Sequence, residues 1–194
     1  MYLIVRDRKP QSLVEISPCD GWSTIWLLLA LRDNRYGSLC SYDLHDRSKH
    51  FIPLQWQDRW LLQVGDVMES TITMKPQIDF LLMDSAHSSR FAKWYFKNVF
   101  PAVDDSALIM IHDIDQPGRL VPGTEARLVS RSFTRNDVDY FTASSWSVRG
   151  RRAAHDVNRM RRRLGIDDAI SKSTSNPSVF LAATQVSSLF DSVE

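Results

Sequence analysis

Cysteine is scarce in this chain: two in 194 residues, Cys19 and Cys40. Two thiols cannot make a disulfide-stapled scaffold, and without paired ligand spacing they form no zinc site, so both read as buried or pocket-lining. Glycine is scarce too, with seven residues. Against a dinucleotide fingerprint of three glycines, Ser17 and Cys19 stand where glycines would, and only Gly21 remains. Neither sign of charge dominates: 24 Lys and Arg against 23 Asp and Glu give a formal +1. That balance makes no strong case for a nucleic-acid partner. No apolar run approaches the ~20 residues of a transmembrane span. Met1 to Arg6 carries no secretory apolar region, which with the two thiols predicts a reducing, cytoplasmic setting. No Gly-x-Ser-x-Gly elbow and no Walker loop are present, which argues against a serine hydrolase and a P-loop NTPase.

What is there begins at Leu13. Leu13-Val14-Glu15-Ile16 reads as a buried strand, followed by a sharp turn through small residues and a helix opened by Ser23 and Thr24 and continued by Ile25 to Leu31. Such a strand delivers Glu15 at its carboxyl end, and the helix N-terminus adds exposed N–H donors and a partial positive charge. Four more apolar stretches repeat the design. Ser38 to Tyr42 ends in Asp43, Trp60 to Val64 in Gly65-Asp66, Ile78 to Met83 in Asp84, and Ala107 to Ile111 in His112-Asp113. Asp79, inside the fourth stretch, reads as a sheet-edge or turn residue. Helical spacing of Phe91, Trp94, Tyr95 and Val99 marks a helix over Ser88 to Val99. Ligands of open parallel sheets bind outside the strands' carboxyl ends, so these acids converge on one crevice. His45, His50 and His155 lie in polar stretches and read as surface residues.

The rest of the chain is less regular. Gln116-Pro117-Gly118 and Val121-Pro122-Gly123 are turn signals, so a long loop follows the fifth strand. A helix is expected from Thr124-Glu125 through Ser132, a sixth strand over Tyr140 to Val148, a polar loop over Ser171 to Pro177, and a closing strand over Ser178 to Thr184, with fraying after Gln185. Between the last two strands lies a basic segment, about 149–170. Its stripe of Ala153, Val157, Met160 and Leu164 predicts a helix. Its arginines, Arg149 to Arg163, either pair in solvent with Asp156, Asp167 and Asp168, or recruit an anionic substrate or dock on nucleic acid or acidic lipid. With 43% hydrophobic residues, residues 1–194 are expected to form one domain, its core about 11–148 and 178–186. Met1 to Pro10 is enough for part of one helix, so acceptor contacts are expected from later segments or a neighbouring subunit. Six tryptophans, Trp22, Trp26, Trp56, Trp60, Trp94 and Trp146, offer surface for a homo-oligomer.

Taken together, Glu15-Ile16-Ser17, Gly21, Ser23-Thr24, Asp43, Gly65-Asp66, Ile78 to His87 and Ile111 to Ile114 resemble a class I S-adenosylmethionine-dependent methyltransferase. The likeness is to the small-molecule O-methyltransferase-like branch whose fourth strand ends in Asp-x-x-His and whose fifth ends in His-Asp or Asp-Asp. Sugar methyltransferases such as the macrocin O-methyltransferases belong to that branch. The resemblance covers about Gln11 to Ile114. It implies an α/β fold: a Rossmann-like, doubly wound, mostly parallel seven-stranded sheet with an antiparallel last strand. It implies that Glu15, Ser17, Cys19, Gly21 and Ser23 line the methionine end of S-adenosylmethionine. Asp43 would hold the ribose, Gly65 and Asp66 would lie near the adenine, and Asp84 would border the cofactor. It also implies a general base at His87 and, in metal-dependent members, Mg²⁺ held by Asp84 and Asp113.

The chemistry independently asks for such residues. Methyl transfer from a sulfonium to a hydroxyl needs the hydroxyl deprotonated and held in line. A histidine suits the first task, and a hard cation on carboxylates suits both. The expected reaction is O-methylation of a small hydroxylated metabolite or sugar. Two alternatives stand beside it: a non-catalytic binding module on the same fold, and a metal-dependent hydrolase using Asp84, His87, His112 and Asp113. For Asp84 the plain structural role would be to cap the following helix, with His112 packed beside it.

Overall fold

Strands apolar on both faces belong in the middle of a sheet covered by helices on each side. Two segments have that character, β1 (Ser12–Ile16) and β4 (Ile78–Met83), and they lie side by side in parallel. The structure, a computed structural model, describes residues 1–69, 78–115, 121–144, 147–166 and 175–186. Its single seven-stranded sheet adds β2 (Ser38–Asp43), β3 (Trp60–Val64), β5 (Val103–Ile111), β6 (Phe141–Ser144) and β7 (Ser175–Ala182), in the order β3-β2-β1-β4-β5-β7-β6. The first five strands are mutually parallel, and β7 runs antiparallel to both β5 and β6. This is the expected Rossmann-like α/β sheet with its antiparallel last strand.

Among the described residues five helices cover it: α1 (Tyr2–Arg8), α2 (Trp22–Asn34), α3 (Ser89–Asn98), α4 (Glu125–Arg135) and α5 (Val148–Arg163). Alternation along the strands divides the core. Val14, Ile16, Leu81 and Met83 pack with Phe91, Tyr95 and Phe96 of α3 and Val129 and Phe133 of α4. Leu13, Phe80 and Leu82 pack with Val5 of α1 and Leu27, Leu28 and Leu31 of α2. The period of two thus sends each strand's side chains to opposite helical layers. Each helix of the first layer begins on a side-chain cap. Ser88 Oγ accepts the Phe91 N–H (3.2 Å), and Thr124 Oγ1 accepts the Arg127 N–H (3.4 Å). Ser88, not Asp84, therefore caps α3, although His112 does pack beside Asp84, with Nδ1 3.3 Å from Oδ1.

Several expectations change. Asp79 is not at a sheet edge, since β4 lies between β1 and β5. Its carboxylate accepts the N–H groups of Gln11 (2.6 Å) and Ser12 (2.8 Å), tying down the entry to β1. The sixth strand is shorter than Tyr140 to Val148. It stops at Ser144, whose hydroxyl donates to the Asp115 carbonyl (2.6 Å), and Val148 turns outward as the first residue of α5. Strand β7 starts at Ser175, inside the expected polar loop, and ends at Ala182, before Thr184. Gln116-Pro117-Gly118, Trp146, Asp167, Asp168, the loop residues 171–174 and the terminus after Val186 lie outside the described residues.

The direction of α5 bears on its arginines. Because β6 is parallel to β5, the helix starts at the sheet's carboxyl-end side and runs back toward the other end. There Arg163 bonds Asp7 of α1, which precedes β1. Arg159 pairs with Asp156 of its own helix (3.5 Å), and Arg149 pairs with Asp139 and lies over the Tyr140 ring. The arginine-rich end, Arg159 to Arg163, is therefore remote from the strand ends where a substrate would react. Recruitment of an anionic substrate there finds no support, and pairing on the surface accounts for these contacts.

Candidate active site

Strand order reverses at β1, which has β2 on one side and β4 on the other. Crevices of doubly wound sheets open at such a point, beyond the carboxyl ends. Backbone strain collects in the same place. Ser17 (φ 66°), Cys19 (φ 53°), His87 (φ 46°) and Asp113 (φ 57°) are left-handed residues following β1, β4 and β5. For a residue with a Cβ that conformation costs roughly 1–2 kcal/mol, and it persists where surrounding contacts enforce it.

The β1–α2 turn takes alternate left-handed steps at Ser17, Cys19 and Gly21 (φ 85°). All three are positions where a glycine fingerprint would have glycine, and two of them carry a side chain. The Cys19 N–H donates to Asp43 Oδ2 (2.9 Å) and the His45 N–H to Asp43 Oδ1 (3.0 Å), so Asp43 holds the turn from the end of β2. Cys19 is exposed rather than buried, although Pro18 and Gly21 on either side of it in the turn are buried. Arg47 Nη2 lies 2.9 Å from its Sγ and 3.2 Å from Asp20 Oδ1. Cys40 is partly buried. The Gly65 N–H donates to the Asp43 carbonyl (2.8 Å), and Asp66 accepts the Met68 N–H (2.8 Å). His45, His50 and His155 are on the surface.

Glu15 lies beneath the turn, fully buried. Its Oε2 accepts hydroxyls from Thr24 (2.8 Å) and Ser41 (2.6 Å), and Trp60 Nε1 donates in turn to Ser41 Oγ (2.9 Å). Burial pushes its carboxyl above the usual range, opposed by the hydroxyls of Ser23, Ser41 and Thr24. The residue joins β1, β2 and the first turn of α2, supporting the turn from below.

A second cluster follows β4 and β5. His87 Nε2 lies 3.6 Å from Asp84 Oδ1 and 4.0 Å from Asp113 Oδ2. His112 Nδ1, buried, lies 3.3 Å from Asp84 Oδ1 and 3.3 Å from Asp113 Oδ1. On its other side His87 Nδ1 is 2.9 Å from Glu125 Oε2, and the Tyr95 hydroxyl donates to Glu125 Oε1 (2.9 Å). The hydrogen bond to Glu125 raises the His87 pKa above its ordinary value. Partial burial opposes it, and the charges of Glu125, Asp84 and Asp113 add to it. Burial pulls His112 down, but Asp84, with Asp113 and Glu125, outweighs it and the net shift is upward. Glu125 and Tyr95 carry no sequence signal of a site. An acid opening a helix reads as an N-terminal residue, and Tyr95 as core.

A family model described as a methyltransferase domain matches residues 14–114. The chain belongs to the methyltransferase-domain family. It is thus a class I S-adenosylmethionine-dependent methyltransferase. Solved structures share its fold. The TDP-rhamnose 3′-O-methyltransferase of calicheamicin biosynthesis aligns with a TM-score of 0.59 at 10% identity, over 93% of this chain and 75% of that one. An O-methyltransferase from Bacillus cereus in complex with SAH gives 0.54 at 15%, over 93% and 77%. An O-methyltransferase family protein from Burkholderia thailandensis gives 0.53 at 11%, over 93% and 54%, so the chain spans about half of that protein's length. No curated protein matches the chain.

In this methyltransferase the β1–α2 turn fits the cofactor. Helix α2 starts on Gly21 with no side-chain cap, which leaves its first-turn N–H groups as donors for a carboxylate. Asp43 at the end of β2 offers acceptors for hydroxyls, and a Cβ on Gly65 would meet nothing within 4 Å. A Mg²⁺ ion fits less well. The two expected ligands, Asp84 and Asp113, lie against imidazole nitrogens, whereas Mg²⁺ selects oxygen donors. Among the described residues no group of three or more His, Cys, Asp or Glu side chains could hold a metal ion.

The strain at Ser17 has a measurable consequence. Ser17→Gly removes the left-handed penalty but adds unfolded-state entropy, so the net expectation is a gain of about 0.5–1 kcal/mol. Thermal denaturation should show a midpoint raised by roughly 1–4 °C. A lowered midpoint would mean that the Ser17 side chain contributes more than its backbone conformation costs.

Proposed function

We propose that this methyltransferase O-methylates a small hydroxylated molecule, a sugar or glycosylated metabolite, with His87 as general base. One observation carries the reading. At the end of β4, next to the reversal in strand order, a half-buried imidazole turns Nε2 toward two strand-end carboxylates. Bound S-adenosylmethionine supplies an electrophilic methyl carbon on a sulfonium. The β1–α2 turn, from Ser17 to Ser23, orients the methionine end, with Glu15 supporting it from below. Asp43 would accept from the ribose hydroxyls, and Gly65 and Asp66 would border the adenine. His87 Nε2 takes the acceptor's hydroxyl proton, so that the acceptor oxygen becomes the nucleophile toward the methyl group that the sulfonium would release. Asp84 and Asp113 then stabilise the imidazolium. The TDP-rhamnose enzyme with the same fold supports the sugar class.

The test is incubation with methyl-tritiated S-adenosylmethionine and a panel of hydroxylated acceptors, sugars first, with mass spectrometry of the product. An O-linked methyl group supports the reading. Transfer confined to nitrogen or carbon overturns it. No step is routed through a metal, so EDTA treatment should leave turnover within about twofold. Loss on chelation with recovery on added Mg²⁺ would restore Asp84 and Asp113 as cation ligands.

A further inference from the structure

We propose that Glu125 is the positioning residue for His87, fixing which ring nitrogen faces the acceptor. The inference rests on His87 as base and concerns a residue outside both the strand-end motifs and the matched span 14–114.

Glu125 holds His87 twice. Its Oε2 lies 2.9 Å from His87 Nδ1, and its backbone N–H donates to the His87 carbonyl at 2.9 Å. The second bond closes on a residue at φ 46°, where a Cβ is disfavoured, and so helps keep the strained backbone in place. Neighbouring contacts fasten the same two segments. The Ser89 N–H donates to the Gly123 carbonyl (2.8 Å), and Ser88 and Thr124 form an antiparallel bridge. The carboxylate itself cannot swing away, since the buried Tyr95 hydroxyl occupies Oε1 (2.9 Å) and Glu125 is 2% exposed. It opens α4, where the helix dipole favours a negative charge.

The consequence follows from donor counting. An ionised carboxylate only accepts, so Nδ1 must carry the proton. A neutral imidazole has one N–H, which leaves Nε2 as the acceptor, facing Asp84 and Asp113. Without Glu125, the ring could place its proton on Nε2 and lose the lone pair that takes the acceptor's proton.

The test is nitrogen-15 NMR of the purified protein at alkaline pH, with imidazoles neutral. Only five histidines must be resolved, and the His87 signal is assigned by its loss in His87→Asn. The wild type is expected to show Nδ1–H. Glu125→Gln should give mixed tautomers, because its amide can present either oxygen or NH₂ to the ring, and Glu125→Asp should keep Nδ1–H. In turnover, Glu125→Gln should lower kcat by about tenfold or more with KM little changed. A wild-type Nε2–H tautomer, or unaltered tautomer and kcat in Glu125→Gln, overturns the proposal. The two levels separate cleanly. Turnover surviving in His87→Ala would defeat the base assignment, whereas its loss there, with a silent Glu125→Gln, would defeat the positioning role alone.

Discussion

His87→Ala should lower turnover by a factor on the order of 10² or more while leaving S-adenosylmethionine affinity nearly unchanged. The separation comes from placement. His87 follows β4, while the turn and the acid assigned to the cofactor belong to β1, α2 and β2. The backbone should tolerate the change, because alanine at φ 46° bears about the same penalty, of order 1 kcal/mol, that histidine already bears, while loss of the imidazole partner of buried Glu125 should lower the thermal midpoint. Calorimetric titration for affinity and single-turnover methyl transfer for rate provide the two readouts. Turnover within a few-fold of wild type would remove His87 from the base role.

The pH dependence has a defined sign. Glu125 and the strand-end carboxylates hold the His87 pKa above its ordinary 6.5. A base must be neutral to accept a proton, so kcat/KM should fall as pH drops through a value above 6.5, and that limb should vanish in His87→Ala. Stability runs the other way. A raised folded-state pKa contributes stability in full below 6.5 and loses it as pH rises through the folded value. The side chain therefore stabilises the fold least in the range where it can act as base.

Asp43→Ala should weaken S-adenosylmethionine binding by a factor on the order of 10², since hydrogen bonds to a charged group contribute about 1.5–3 kcal/mol each. Two effects combine. The carboxylate already takes the N–H groups of Cys19 and His45, and four lone-pair sites leave room for ribose hydroxyls. Removing it discards those acceptors and releases the left-handed turn at Cys19 that the other oxygen secures. Asp43→Asn should fall between, since its amide keeps one acceptor but turns a donor toward one of the two N–H groups. Calorimetric titration with S-adenosylmethionine and S-adenosylhomocysteine decides it. Unchanged affinity would place the ribose elsewhere.

The parallel core was legible because it repeats one signal: an apolar run closed by an acid or a histidine at Glu15, Asp43, Asp66, Asp84 and His112-Asp113. Burial on both faces writes itself into sequence as unbroken hydrophobicity, and strand ends follow from where it stops. The later strands were less legible. Tyr140 to Val148 has strand-like composition along its length, yet among the described residues pairing with β7 runs from Phe141 to Ser144 and Val148 already opens α5. Asp79 looked like an edge residue because a carboxylate inside a strand is rarely buried. Its partners, the N–H groups of Gln11 and Ser12, come from a chain segment about 70 residues away.

By itself the sequence determined the α/β class, the order of the first five strands along the chain, the turn after β1 and the strand-end candidates, including His87. All of these are local: each rests on the residue types within a few positions. Tertiary structure alone decided that Glu15 is a buried support, that α5 carries Arg159 to Arg163 away from the crevice, and that Glu125 and Tyr95 stand behind His87. Those outcomes depend on which elements meet, and a hydrogen bond between side chains 30 or 38 positions apart leaves no trace in the spacing of either.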